Sequence, residues 1–375
     1  MFLKKRLNFY YKLCILSTLL IVLGSVFVLS SSSIYGIFSK SGNPAYYFKK
    51  HLLWLILGTI GFLLLRNIDT RKLEKYSFLI FCISLVILPL PKFFGDLRWL
   101  KLGPLSFQPA ELIKFTFIIY LSDYLKRKLP VIKENKTLIV PLVFLLLITG
   151  ILQLQKDIGT FVVIFFTFML LIFLAGVSLK NIFIIITTGI VLFTGMIFMF
   201  PYRRDRILTY FNPSADPMGK GYQTRQSLIA ISSGGFWGKG LGAGERKLKF
   251  LPEAHKDYIY AVVGEETGFL GTSFVLFLFG FLVFSSFNLS KISKDFFIKF
   301  LSAGIGGLFG LQFILHVAVV LKMVPSKGTT LPFFSVGGSS FLINILALGV
   351  LFNIARQVLF DENTVNFEDT YIEHL

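Results

Sequence analysis

The chain has 375 residues, of which 54% are hydrophobic and only 15% charged, against about 25% charged in an ordinary soluble domain. With a mean hydropathy of +0.73, this composition excludes a soluble enzyme, because so much apolar surface needs lipid to cover it. The net charge of +18 reads as anchoring charge on membrane loops, with no nucleic-acid partner expected, and Cys14 and Cys82 sit in apolar runs where they pack as small hydrophobes rather than pair.

Apolar runs approaching the ~20 residues that a spanning helix needs fall near 13–33, 51–65, 77–91, 109–125, 138–154, 158–176, 181–200, 259–286, 298–321 and 339–356. The expectation is an all-α integral membrane protein with about ten transmembrane helices. The second and third runs are short and must extend into their flanks. The first follows Lys4, Lys5 and Arg6 and ends in serines, as a cleaved signal peptide would, but nine further spans favour a first transmembrane helix. With the N-terminus inside, the cytoplasmic segments carry eighteen Lys and Arg, among them Arg66, Arg71, Lys72, Lys126, Arg127 and Lys128, and the short outer loops carry nine. This bias puts both termini in the cytoplasm. The membrane unit then covers 1–357. Residues 358–375, with Asp361, Glu362, Glu368, Asp369 and Glu373, form an acidic cytoplasmic tail with the composition of a disordered segment.

Polar groups interrupt the apolar pattern at a few places. On the fourth span Glu111 and Lys114 share a face at i, i+3, either as a buried ion pair or with the lysine reaching a lipid phosphate. Asp157, followed by Gly159 and Thr160, suits the N-cap of the sixth span. A large extracytoplasmic loop, 201–258, joins helices 7 and 8, with ten Lys and Arg against five acids and eight glycines. It is either a solvated, flexible loop or a basic cup whose glycines let the backbone approach an anion, as a pyrophosphate headgroup would require. The stretch Gly234 to Gly242 lacks the Gly-Lys-Ser/Thr of a nucleotide loop and faces outward, so no nucleotide is expected.

Before the eighth span, Glu253, His255, Lys256 and Asp257 crowd the lipid–water boundary. Asp257 there is placed to act as a general base, kept ionised by cations such as Lys256. His255 is the alternative base, a metal ligand, or simply a hydrogen-bonding group. Glu265 and Glu266 open the eighth span. Carboxylates at membrane depth cost roughly 2.5–3.5 kcal/mol, so they either line a cavity or cation site or pair with the basic loop. On the ninth span Gln312 and His316 share a face, which points to hydrogen bonding between helices. The last outer loop, 323–340, has two prolines and three glycines and reads as the rim of a substrate site.

Taken together, Gly95-Asp96-Leu97-Arg98-Trp99, residues 107–114, Asp157-Ile158-Gly159-Thr160, Gly221-Tyr222-Gln223 through Gln226-Ser227, Lys239-Gly240-Leu241-Gly242, residues 251–257 and residues 327–340 resemble the SEDS family of shape, elongation, division and sporulation proteins over nearly the whole chain. Lys327 to Pro332, 251–255 and Gly264-Glu265-Glu266 are more similar to the division branch, FtsW, than to the elongation branch, RodA, with the sporulation branch also close. The resemblance implies a peptidoglycan glycosyltransferase in the bacterial cytoplasmic (inner) membrane, at the septum for the division type. The donor would be a glycan on undecaprenyl pyrophosphate, the acceptor lipid II, and the base Asp257.

Substrate contacts would come from Arg98, Lys114, Arg225, Lys239, Glu253, His255, Ser335 and Ser339. A divalent cation, magnesium or manganese, would be held by Glu266. A class B penicillin-binding protein transpeptidase and other division-complex proteins are the implied partners. The family pattern is broken at Lys156, Lys256 and Val336, where it commonly has Pro, Thr and Tyr. The rival readings are a lipid II flippase and a scaffold that only recruits a transpeptidase. The first needs a pathway to both faces, whereas the candidate groups gather on the outer side.

Overall fold

Each apolar run falls on helix in the computed structural model, the third divided between two helices, and the structure describes residues 2–38, 42–103, 105–199, 204, 208–211, 220–249, 251–325 and 328–360. In chain order these are α1 (Phe2–Phe38), α2 (Tyr46–Asn67), α3 (Thr70–Lys75), α4 (Ser77–Ile87), α5 (Leu90–Phe93), α6 (Pro109–Lys128), α7 (Ile139–Leu154), α8 (Ile158–Leu174), α9 (Leu179–Met199), α10 (Lys220–Gly234), α11 (Arg246–Lys249), α12 (Ile259–Ile292), α13 (Phe296–Val320) and α14 (Gly338–Phe360). Of the acidic tail expected over 358–375, residues 358–360 form the end of α14 and the rest lies outside the described residues.

Among the described residues six helices are long and apolar enough to cross a membrane, and the segments Ser77–Phe93, Ile158–Leu174 and Leu179–Val191 are shorter apolar helices. Helix α6 fails that test because it carries Glu111, Lys114, Asp123 and a basic last turn, yet 16 of its 20 residues are buried. It is wrapped by α4, α8, α13 and α14, so its polar groups face protein rather than lipid. Helix α13 packs into the same centre through small residues. A Cβ on Gly304 would come within 2.5 Å of Ile118, and one on Gly307 within 2.4 Å of Leu170. Close backbone approach of this kind is how membrane helices gain contact without a hydrophobic drive between them.

The loops sort by end of the bundle as their charge requires. At one end Lys126 pairs with Glu74 at 2.7 Å and Asp295 at 3.1 Å. There too Asn181 donates to Asn135 and Arg356 to Asn67, while Arg6, at the start of α1, reaches the Leu359 carbonyl at the end of α14. These are the segments that the charge bias assigns to the cytoplasm, and the start of α1 and the end of α14 lie together among them.

One element was not expected. At the opposite end β1 (Leu100–Leu102) pairs antiparallel with β2 (Leu105–Phe107), with Leu100 opposite Phe107 and Leu102 opposite Leu105. Three-residue strands are too short for alternation to show in the sequence. The turn signal Gly103-Pro104 was the available clue, and Gly103 adopts φ +62°.

Candidate active site

The outer connections converge on a cavity of about 410 Å³. The first wall is the start of α8. Asp157 caps it, accepting from the Thr160 amide at 3.2 Å and hydroxyl at 3.0 Å, and also from Gln108 Nε2 at 3.0 Å. The expected N-cap is therefore present, and through Gln108 it ties the start of α6 to α8. Arg98 donates from Nε to the Gln155 carbonyl at 2.8 Å and from Nη2 to the Lys156 carbonyl. Both acceptors are neutral, so these bonds position the guanidinium without cancelling its charge.

The second wall is the segment before α12. Glu253 takes φ +54°, and the turn closes through Lys256 N and Asp257 N, which both donate to the Glu253 carbonyl. Tyr35 of α1 holds the Leu251 carbonyl at 2.8 Å. The last outer loop staples the other side: Val336 N donates to the His255 carbonyl at 2.9 Å, and Ser335 Oγ to the Lys256 carbonyl at 2.6 Å while accepting from Leu331 N. Asp257 is thereby fixed beside Gly328, and a Cβ on Gly159 would lie 3.1 Å from the Gly328 carbonyl. The three motifs at 157–160, 251–257 and 328–340 thus form one surface.

Of the sequence candidates, Asp257, Arg98, Lys114 and Glu253 line this cavity together. Lys114 and Glu111 form a buried ion pair at 2.8 Å on the cavity wall, so the two readings of that pair are not exclusive. Glu253 pairs with Lys256 at 2.8 Å. Burial pushes the Glu253 carboxyl up, but the Lys256 hydrogen bond and charge, helped by His255, outweigh it and leave it below its usual value.

The remaining candidates lie elsewhere. Ser335 is a staple behind the wall, and Ser339 is fully buried, so neither lines the cavity; Ser340 takes that place. His255 is also buried, packed between the rings of Tyr35 at 4.2 Å and Tyr47 at 5.4 Å, and is not on the cavity wall. Burial, with the Lys256 charge, holds its pKa down to about 4, so it is neutral at physiological pH. Arg225 is exposed on α10 and Lys239 is bound to Glu265 at 3.1 Å; neither lines the cavity. Lys327 lies outside the described residues.

The glycine-rich loop has a different role from either expected one. Helix α12 breaks at Gly268, whose φ and ψ are 64° and −159°. The loop 234–244 enters that break. Lys239 N and Gly240 N donate to the Glu265 and Glu266 carbonyls at 3.0 Å, and Phe269 N and Leu270 N donate to the Gly235 and Phe236 carbonyls. A broken membrane helix leaves backbone groups that need partners, and this loop supplies them. Gly238 must be glycine because a Cβ there would meet the Glu266 carbonyl at 2.3 Å. The glycines therefore let the loop approach a helix.

The two acids beside the break are consumed in the same way. Glu265 accepts from Lys239 Nζ and the Glu245 and Arg246 amides. Glu266 accepts from Ser30 with both oxygens, from Gly242 N and from the buried Lys247. Glu266 does not fit a metal-ligand role, since both its oxygens are engaged. Among the described residues no three His, Cys, Asp or Glu side chains cluster to hold an ion.

Sequence reasoning missed Trp99 and Gln312 as cavity residues, while Thr330 lines the cavity from the loop read as its rim. Gln312 was expected to bond a neighbouring helix. Instead its Oε1 is buried with no hydrogen-bond partner among the described residues, while His316 Nδ1 contacts the Thr329 carbonyl at 2.7 Å.

The family model for FtsW, RodA and SpoVE, described as "Cell cycle protein", matches residues 11–359. The "Probable peptidoglycan glycosyltransferase FtsW" of Buchnera aphidicola subsp. Schizaphis graminum is 36% identical over 331 residues, 86% of this chain and 94% of the relative. "Stage V sporulation protein E" of Bacillus subtilis is 33% identical over 354 residues, 92% of this chain and 96% of the relative. Among solved structures, a chain from "Structural coordination of polymerization and crosslinking by a peptidoglycan synthase complex" matches with a TM-score of 0.76 and 26% identity, over 94% of this chain and 98% of that one.

Proposed function

The chain belongs to the FtsW, RodA and SpoVE family, the SEDS family, and on that premise we propose that its outer cavity is the active site of a peptidoglycan glycosyltransferase of the FtsW type. The observation that carries the reading is the position of Asp257. Its carboxylate lines a polar cavity assembled from segments that the charge bias puts outside the membrane, where a lipid-linked sugar diphosphate can present its headgroup.

In the proposed reaction the acceptor is lipid II and the donor a glycan on undecaprenyl pyrophosphate. Asp257 takes the proton from the acceptor's 4-hydroxyl. That oxygen attacks the donor anomeric carbon from the opposite face, the bond to phosphate breaks, and α becomes β. The pyrophosphate leaves with the bonding electrons, and its developing charge needs a fixed cation. Arg98 supplies it, because its hydrogen bonds go to neutral carbonyls. Lys114 is less available, being tied to Glu111. Asp157 and Ser335 act indirectly by holding the walls in register.

Septal placement in the bacterial cytoplasmic membrane follows from the FtsW reading, and a tagged copy forming a midcell band rather than a dispersed lateral pattern supports it. The similarity to a polymerisation and crosslinking complex supports a class B penicillin-binding protein as partner. The activity itself is tested with the purified chain in vesicles carrying fluorescent lipid II. Glycan ladders support a polymerase. Headgroup translocation without ladders would instead support a flippase.

A further inference from the structure

The cavity wall carries more negative than positive charge. Arg98, Lys114 and Lys256 line it, and so do the carboxylates of Glu111, Asp157, Glu253 and Asp257, so three cations stand against four acids. A diphosphate entering such a site loses water and needs cations that are not already neutralised. Lys114 cannot become one. It is 2.8 Å from Glu111 with both side chains 5–6% exposed, and separating them would leave a buried charge without a partner. Arg98 is available, because its bonds go to neutral carbonyls, but it supplies a single charge.

The third cation differs from both. Lys256 is also 2.8 Å from its carboxylate, Glu253, but these side chains are 43% and 48% exposed. A pair this open to water adds little net stability, and each partner is rehydrated when the two separate. The backbone under it does not have to move. Lys256 N donates to the Glu253 carbonyl at 2.9 Å, and the Lys256 carbonyl accepts from Ser335 Oγ at 2.6 Å. Only the flexible four-carbon stem has to swing. Glu253 offers the ammonium one negative charge, whereas a diphosphate offers more than one, so the diphosphate displaces it. The two lysine–carboxylate pairs of one cavity therefore divide into a fixed pair and an exchangeable pair.

We propose that Lys256 is a second diphosphate-binding cation held in reserve by Glu253: the ion pair opens when the lipid-linked diphosphate enters, and Lys256 then joins Arg98 in binding it. The proposal deepens the glycosyltransferase reading and rests on it for the identity of the ligand.

The test measures binding of undecaprenyl diphosphate, and of uncharged undecaprenol, to the purified full chain as wild type, Lys256→Met and Glu253→Gln. Lys256→Met is expected to bind the diphosphate about tenfold more weakly, the loss of one charge-assisted contact. Glu253→Gln is expected to bind it several-fold more tightly, because the lysine is released. Undecaprenol should bind all three alike. The opposite signs separate this role from a structural one, since a pair that only holds the turn would make both variants shift in the same direction. Every other pattern overturns the proposal: both variants weaker, no tightening with Glu253→Gln, or undecaprenol following the diphosphate. If Lys256→Met does not fold, Glu253→Gln alone decides it, by tightening or by failing to tighten. Polymerisation of lipid II by the wild type is assayed beside these, so that an inactive wild type counts against the glycosyltransferase reading while the binding pattern judges Lys256 separately.

Discussion

Asp257 and Gly328 meet at the cavity mouth: a methyl group built on Gly328 would stand 3.2 Å from Asp257 Oδ2 and 3.6 Å from Oδ1. The loop that carries Gly328 is therefore a wall against which the proposed base is set. Catalytic geometry is sensitive to such walls, since displacement by about 1 Å can lower a rate 100-fold. Gly328→Ala is expected to lower kcat for lipid II polymerisation about tenfold, and Gly328→Val roughly 100-fold, with the melting temperature little changed. Purified variants assayed beside the wild type check this. A valine variant of normal rate would separate Gly328 from the reacting groups.

The buried link between α1, α11 and α12 gives a stability prediction. Lys247 and Glu266 are 3% and 1% exposed and joined to each other and to Ser30. Removing one partner leaves an uncompensated buried charge, which destabilises by roughly 3–5 kcal/mol. Lys247→Met and Glu266→Gln alone should each lower the unfolding temperature in detergent clearly. The double variant, which removes both charges, should recover much of the loss. Single variants that melt like the wild type would show that the pair does not tie the loop to the bundle.

His255 makes stability depend on acid. Burial, with the Lys256 charge, holds its folded pKa down to about 4, against 6.5 when unfolded. Between those values the unfolded chain binds more protons than the folded one, so stability falls as the pH is lowered through that window. The loss attributable to this residue is roughly 2–3 kcal/mol by pH 4. The groups facing it are Tyr35 and Tyr47 from α1 and α2, with Glu253 and Lys256 on its own segment. His255→Phe keeps the ring contacts and should flatten the pH dependence of unfolding between 6.5 and 4 relative to the wild type. An unchanged slope would contradict the burial.

Much of this architecture was legible because a membrane imposes strong rules on composition. The apolar runs mark the helices, and the loop charges orient them. Asp157 was legible as a cap because one turn of backbone fixes that geometry. The limits appear where a residue's meaning depends on what packs against it. Glycines 234–244 signal close approach, but the sequence does not say to what, and the partner is the break at Gly268. Glu266 at membrane depth signals a partner, and only folding brings Lys247 and Ser30 to it. Lys239 and Arg225 were selected for charge on a basic loop, yet one is bound to Glu265 and the other is exposed away from the cavity. Gln312 read as a link between helices because helical spacing reveals its face but not the cavity beside it.

The most direct measurement is lipid II polymerisation by the purified Asp257→Asn protein, a substitution that keeps the side chain's size but removes the basic carboxylate. The account predicts a folded protein, with wild-type melting behaviour, that yields no glycan ladder above background. Ladders formed at the wild-type rate would contradict the assignment of the base.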